Sequence, residues 1–136
     1  MNSPVTPVIY EKTGAIARIR FNRPDVLNAI DLDMARAFAD VMRQVAADPE
    51  IRAVVLSGEG KAFIAGGDLK QLRQGAAGEL ITPMHEAIQR LTALPVPVLV
   101  AVHGAVSGAG LSLAMACDLV LAAEGTRFNL AYVNVG

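Results

Sequence analysis

Ala65-Gly66-Gly67-Asp68 and Ser107-Gly108-Ala109-Gly110 are two glycine-rich turns, and each follows an apolar stretch and precedes a predicted helix. The first N–H groups of a helix have no partner within it and carry partial positive charge, so such a turn suits an anion or a polarised carbonyl oxygen. Two such turns in one small domain can direct two N–H groups at a single oxygen. The pattern therefore predicts an oxyanion hole.

The composition is that of a globular domain. The 136 residues are 53% apolar and 18% charged, with a net charge of −1, which is enough for one domain with a core. The charges are scattered without a basic stripe, which argues against a nucleic-acid partner. The single cysteine, Cys117, excludes an internal disulfide and agrees with a reducing compartment. We find no signal-peptide pattern and no apolar run of membrane-spanning length, so we expect a cytoplasmic protein without a membrane partner.

Strand and helix patterns alternate along the chain after an opening hairpin. The hairpin is predicted from strands at Val8–Lys12 and Ala15–Phe21, and Asp31 is the predicted N-cap of a helix that ends near Ala47. The remaining predicted elements are a strand at 53–56, a short helix at 68–74, a helix at 82–94, a strand at 98–102, a helix at 108–117 and a strand at 119–122. Glycines between 75 and 78 are expected to interrupt the helical pattern. This order predicts an α/β fold with parallel strand pairing.

Each glycine turn also has a purely structural interpretation. The first can be a flexible loop in which Asp68 merely caps a helix, and the second can reflect tight packing of a small-residue helix on a sheet. A dinucleotide-binding loop at the second turn is disfavoured because its third glycine position holds Leu113. A hydrolase nucleophile elbow centred on Ser107 fails because Ala105 and Ala109 stand where it needs glycine.

Several motifs in one order resemble the N-terminal half of the crotonase fold, the enoyl-CoA hydratase/isomerase superfamily. They are Phe21-Asn22-Arg23-Pro24, Leu27-Asn28-Ala29, and the stretches 62–69, 97–104 and 108–118. The resemblance implies a spiral of ββα units, with residues 1–136 forming a single domain that is truncated at its C-terminus. It also implies a homotrimer or hexamer and an acyl-CoA thioester as substrate, with no other bound cofactor. We expect no metal site, since His85 and His103 lie far apart without neighbouring ligands.

The resemblance places the two oxyanion-hole donors on the backbone N–H groups of Gly67 and Ala109, the second being commonly glycine in the family. It also implies a set of residues along the path of the acyl-CoA. These are Val26, Leu27, Ala65, Gly66, Asp68, Leu69, Lys70 and Gly108. Lys70 has a second interpretation as a solvated lysine.

The acid–base positions depart from those of a hydratase. The two glutamates that a family hydratase uses fall on Ser112 and Tyr132, and neither can exchange protons as a carboxylate does near neutral pH. Some family isomerases instead use one acidic residue that would lie beyond Gly136. The sequence therefore favours an isomerase over a hydratase, and a non-catalytic acyl-CoA-binding or scaffold protein is the alternative. His85 is interpreted as an exposed helix residue rather than a proton carrier, and His103 as a turn residue.

Overall fold

The computed structural model of the protein describes residues 5–131, apart from the side chain of Ala76. Seven strands and four helices are present in these residues. The strands are β1 (Val8–Thr13), β2 (Ile16–Phe21), β3 (Ala53–Gly58), β4 (Val98–Val102), β5 (Ala105–Ser107), β6 (Leu119–Ala122) and β7 (Arg127–Asn129). The helices are α1 (Leu32–Ala47), α2 (Leu69–Gln71), α3 (Ala77–Ala93) and α4 (Ala109–Met115). A 3₁₀ turn covers Pro24–Val26, and a π-helical segment, Leu72–Ala76, joins α2 to α3.

The main sheet has five strands in the order β1-β2-β3-β4-β6. The first pair forms the predicted antiparallel hairpin, and the pairings from β2 through β3 and β4 to β6 are parallel. Strands β5 and β7 form a second, two-stranded parallel sheet. The predicted α/β class with parallel pairing is therefore confirmed.

Helix α1 packs its apolar stripe onto this sheet and against α3, as the periodicity of its sequence predicts. It begins where Asp31 Oδ1 accepts a hydrogen bond from Met34 N at 2.9 Å. Phe38 lies edge-on to Phe21 of β2, with ring centroids 5.1 Å apart, and Phe21 in turn meets Phe63 at 5.9 Å. These aromatic contacts join helix, sheet and the segment that leads into the first glycine turn.

The predicted interruption at residues 75–78 is confirmed at Gly75, whose backbone angles are non-helical, whereas the predicted helix start near residue 82 is wrong. Helical structure resumes at Ala77, the first residue of α3, so this helix starts well before residue 82. Gly75 takes a left-handed conformation, with φ of 83°, and absorbs the kink at which the two helical pieces meet.

Residues 5–131 contain neither a candidate membrane span nor a candidate metal cluster. No helix there is both long and apolar enough to cross a membrane. The same residues contain no group of three or more metal-ligating side chains.

Candidate active site

The first glycine turn is held by backbone hydrogen bonds to the loop that precedes α1. Ala65 N donates to Leu27 O at 3.0 Å, Ile30 N donates to Gly66 O at 2.9 Å, and Asp68 N donates to Ile30 O at 2.8 Å. The C=O and N–H of a trans peptide point in opposite directions. Because Gly66 O faces Ile30, the N–H of Gly67 points away from Ile30.

The second glycine turn is fixed by the start of α4. Gly108, at φ 54° and ψ −120°, has a conformation that a side chain would oppose, and its N–H donates to Asn129 O at 2.9 Å. Gly108 O accepts from Ser112 N at 3.1 Å, so this carbonyl points along the helix. The N–H of Ala109, in the same peptide, therefore points outward from the first turn of α4.

The two turns touch each other. A Cβ built on Gly108 would lie 3.7 Å from Gly66 Cα, and one built on Gly110 would lie 2.4 Å from Ile64 O. Ser107 N also donates to Ile64 O, at 3.0 Å. Gly110 thus packs tightly, against the segment that leads into the first glycine turn rather than against a named strand, while Gly108 is required by its backbone conformation.

Substitution of Gly110 tests this close approach. We expect Gly110→Ala to reduce the free energy of unfolding by about 1–3 kcal/mol or more, because the added methyl overlaps a backbone oxygen that cannot move freely. The matched control is Gly78→Ala in α3, where a Cβ meets nothing within 4 Å and removal of a helix glycine should stabilise by up to about 1 kcal/mol. Urea denaturation of the two variants measures both values, and equal effects would contradict the packing described here.

A cavity of about 500 Å³ lies where the two turns meet α2 and α3. Its wall combines both glycine turns with aliphatic side chains on one face of α3. The lining residues are Ala65, Gly66, Gly67, Leu69, Leu72, Leu80, Ile81, Met84, His85, Ile88, Gly108, Ala109, Ser112 and Ala131. The structure thus brings both predicted donor residues to one cavity.

Four of the residues predicted to line the acyl-CoA path do not line this cavity. Val26 and Leu27 are 44% and 41% exposed in the preceding loop, and Lys70 is exposed on α2. Asp68 caps α2, since its Oδ1 accepts from Lys70 N at 3.0 Å and from Gln71 N at 3.4 Å. A separate groove of about 580 Å³ includes Val26 but neither glycine turn, and its wall is charged, with Arg23, Arg36 and four aspartates.

Helix α3 forms a part of the cavity wall that was not predicted from the sequence. Leu80, Ile81, Met84, His85 and Ile88 form a stripe with helical spacing, so the periodicity that predicts a helix also marks this face. His85 is both exposed and at the cavity, and it carries the one imidazole among the lining residues within 5–131. The sequence interpretation as an exposed residue was correct but incomplete.

One of the two positions at which the resemblance implies a hydratase glutamate lies at this cavity. Ser112 lines the cavity, and its hydroxyl donates to Gly108 O at 3.3 Å. Tyr132 lies outside the described residues.

Two other reactive side chains are placed away from the cavity. Burial raises the pKa of the Cys117 thiol to about 12, with a further contribution from the Asp118 carboxylate, so Cys117 stays a thiol at neutral pH. It hydrogen-bonds to Leu113 O at 3.4 Å. His103 lies between β4 and β5, and its Nε2 is 2.7 Å from Gly60 O.

Comparison with known proteins relates this chain to one family. The model of the family "Enoyl-CoA hydratase/isomerase" matches residues 11–136. The short-chain-enoyl-CoA hydratase of Clostridium acetobutylicum is 34% identical over 139 residues, covering 95% of this chain and 51% of that protein. The 1,2-epoxyphenylacetyl-CoA isomerase of Escherichia coli K12 is also 34% identical, covering 89% of this chain and 49% of the isomerase.

The fold agrees with the sequence match. The crystal structure of an enoyl-CoA hydratase from Mycobacterium avium subsp. paratuberculosis K-10 superposes with a TM-score of 0.88 at 32% identity, covering 99% of this chain and 54% of that one. The chain thus spans about half the length of the relatives it matches. It belongs to the enoyl-CoA hydratase/isomerase family.

Proposed function

We propose that the protein binds an acyl-CoA thioester and stabilises its enolate through the backbone N–H groups of Gly67 and Ala109. The observation that supports this most is that both glycine turns line one cavity. The Gly67 N–H points away from Ile30 because Gly66 O, in the same peptide, accepts from Ile30 N. The Ala109 N–H points outward from α4 because Gly108 O, in the same peptide, accepts from Ser112 N. Donors fixed before the reaction stabilise charge as it develops, and loss of one costs about 3 kcal/mol in known enzymes.

The cavity wall supports an acyl group as the bound moiety. Six aliphatic side chains face the cavity, and they would remove an acyl chain from water. They are Leu69, Leu72, Leu80, Ile81, Met84 and Ile88. An apolar wall around the thioester also strengthens hydrogen bonds from backbone donors, because the local dielectric constant is low.

We infer an isomerase-type proton shift rather than hydration. Hydration by two glutamates is disfavoured because Ser112 occupies the position of the first, at the cavity itself. A shift of the double bond needs one group that takes a proton from the α or γ carbon and returns it to the other. A carboxylate beyond Gly136, as the resemblance implies, or His85 can serve as that group.

The alternative is a non-catalytic acyl-CoA-binding or scaffold protein. It is favoured by the lack of a carboxylate among the cavity-lining residues within 5–131. We further expect assembly as a homotrimer or hexamer and a cytoplasmic location, both implied by the family resemblance and measurable by sedimentation and fractionation.

Calorimetric titration and turnover separate these proposals. We expect saturable binding of crotonyl-CoA and butyryl-CoA, with free CoA bound more weakly. For the isomerase, 3-hexenoyl-CoA should convert to the conjugated 2-enoyl-CoA, which is followed by ultraviolet absorbance, and His85→Gln should abolish conversion if His85 carries the proton. Binding without conversion would favour the scaffold protein, and absence of thioester binding would overturn both.

A further inference from the structure

We propose that Arg23 is a positioning residue that holds the Gly67 N–H in the direction needed for enolate stabilisation. This inference rests on the proposed function. Arg23 does not line the cavity, so it acts through the segments that it joins.

The guanidinium of Arg23 joins three points around the first glycine turn. Its Nη1 donates to Ala29 O. Its Nη2 lies 3.3 Å from Asp31 Oδ2 and 3.7 Å from Asp68 Oδ2. The side chains of Arg23, Asp31 and Asp68 are only 22%, 14% and 20% exposed, so the group is largely shielded from water. One cation therefore ties the loop before α1 to the residue that directly follows Gly67.

Asp68 connects Arg23 to the first glycine turn, because both of its carboxylate oxygens and its backbone N–H have partners. Oδ1 caps α2 through Lys70 N and Gln71 N, and Oδ2 faces Arg23. Its backbone N–H donates to Ile30 O at 2.8 Å. Rotation of Asp68 would disturb the peptide groups on both sides of Gly67.

The conformation of the first glycine turn depends on neighbouring residues, because its two glycines cannot fix it themselves. Gly66 and Gly67 have no side chains, and Gly66 has φ of 128°, which glycine reaches without strain. The orientation of their peptide groups is set by two hydrogen bonds of Ile30. Its N–H donates to Gly66 O, and its carbonyl oxygen accepts from Asp68 N. Arg23 braces both sides of that pairing, at Ala29 and Asp31 on one side and at Asp68 on the other.

Arg23 should contribute less to the free energy of folding than to the direction of the Gly67 N–H. Without Arg23, the carboxylates of Asp31 and Asp68 keep their backbone N–H partners, which limits the loss of folding stability. Small displacements of a donor, in contrast, can reduce catalysis about 100-fold. The position is therefore expected to affect the enolate more than the fold or the ground-state complex.

The experiment measures these two properties separately. The probe for the enolate is acetoacetyl-CoA, whose enolised form absorbs in the ultraviolet, and the probe for ground-state binding is butyryl-CoA. We expect Arg23→Gln to reduce enolate stabilisation about 10- to 100-fold, with affinity for butyryl-CoA within about threefold of the wild type. Arg23→Lys should give an intermediate loss because one ammonium cannot reach all three oxygens.

Two further variants complete the design. Asp68→Asn keeps an N-cap acceptor but removes the charge that faces Arg23, so it should reproduce the loss of enolate stabilisation. The double variant should lose no more enolate stabilisation than the more impaired of the two single variants. The control is Arg20→Gln, since Arg20 also pairs with two carboxylates, Glu59 at 2.6 Å and Glu11 at 3.1 Å, yet lies outside the cavity wall. It should leave both probes unchanged.

The inference is overturned if folded Arg23→Gln and Asp68→Asn stabilise the enolate as the wild type does. It is also overturned if enolate stabilisation and butyryl-CoA affinity fall together, since that would make Arg23 a general structural residue. Failure of the wild-type protein to bind butyryl-CoA would instead overturn the proposed function, and this inference with it.

Discussion

Ala109→Pro is expected to reduce kcat for thioester isomerisation by about 100- to 1000-fold, the cost of removing one oxyanion-hole donor. Ala109 is the first residue of α4, a position where proline is well tolerated because its missing N–H has no partner within the helix. The preceding residue, Gly108, is the type least restricted by a following proline. The change therefore removes the proposed donor at small cost to the fold.

The matched control is Ala109→Gly, which keeps the N–H and is expected to retain activity within a few-fold. KM should change less than kcat in the proline variant, because the donor bonds more strongly to the enolate than to the neutral carbonyl. Wild-type kcat in a folded Ala109→Pro protein would contradict the assignment of this donor.

Gly67 allows the same comparison at the other donor. A Cβ at Gly67 would meet Leu72 Cδ1 at 3.1 Å, the end of a flexible side chain that can move. Gly67→Ala should therefore retain most activity, whereas Gly67→Pro should lose it to an extent similar to that of Ala109→Pro. Equal activities of the two Gly67 variants would contradict a role for this N–H.

Asn28→Ala is expected to lower the free energy of unfolding by about 3–5 kcal/mol, because it leaves several buried backbone groups without partners. Asn28 is fully buried. Its Nδ2 lies 2.9 Å from Glu59 O, 3.0 Å from Ala62 O and 3.0 Å from Phe63 O, and its Oδ1 accepts from Arg23 N at 2.7 Å. Asn28 also has φ of 56°, a conformation that asparagine tolerates better than alanine.

Asn22→Ala is the control for this prediction. Asn22 makes one hydrogen bond through Nδ2, to Thr6 O at 3.1 Å, in an exposed setting, so its loss should cost about 1 kcal/mol or less. Urea midpoints measured with the denaturant slope give both free energies. Comparable shifts for the two variants would show that the buried amide contributes no more than a surface one.

Elements with local signals were predicted well. Helix α1 follows from an N-cap at Asp31 and a stripe of apolar residues from Met34 to Val45, and all of this information lies within 17 consecutive residues. The β1–β2 hairpin likewise follows from alternation around Gly14. In these segments the propensity, the pattern and the tertiary packing agree.

Features that join distant segments were not predictable from local patterns. Asn28 bonds to carbonyls 31 to 35 residues away, and the Arg23–Asp68 contact joins two loops. Gly75 was predicted to interrupt the helical pattern and lies at a kink, but the sequence did not predict that helical structure continues directly on both sides of it. The aliphatic wall of α3 became recognisable as a site only once the fold had placed it opposite the glycine turns.

The convergence of Gly67 N–H and Ala109 N–H on one thioester oxygen can be measured by isotope-edited infrared spectroscopy of butyryl-CoA labelled with ¹³C at the carbonyl. Hydrogen bonds to the oxygen weaken the C=O bond, so we predict a lower stretching frequency in the complex than in water, with part of this shift lost in Ala109→Pro and part in Gly67→Pro. A frequency in the wild-type complex equal to or above that in water, unchanged by either substitution, would contradict the two-donor site.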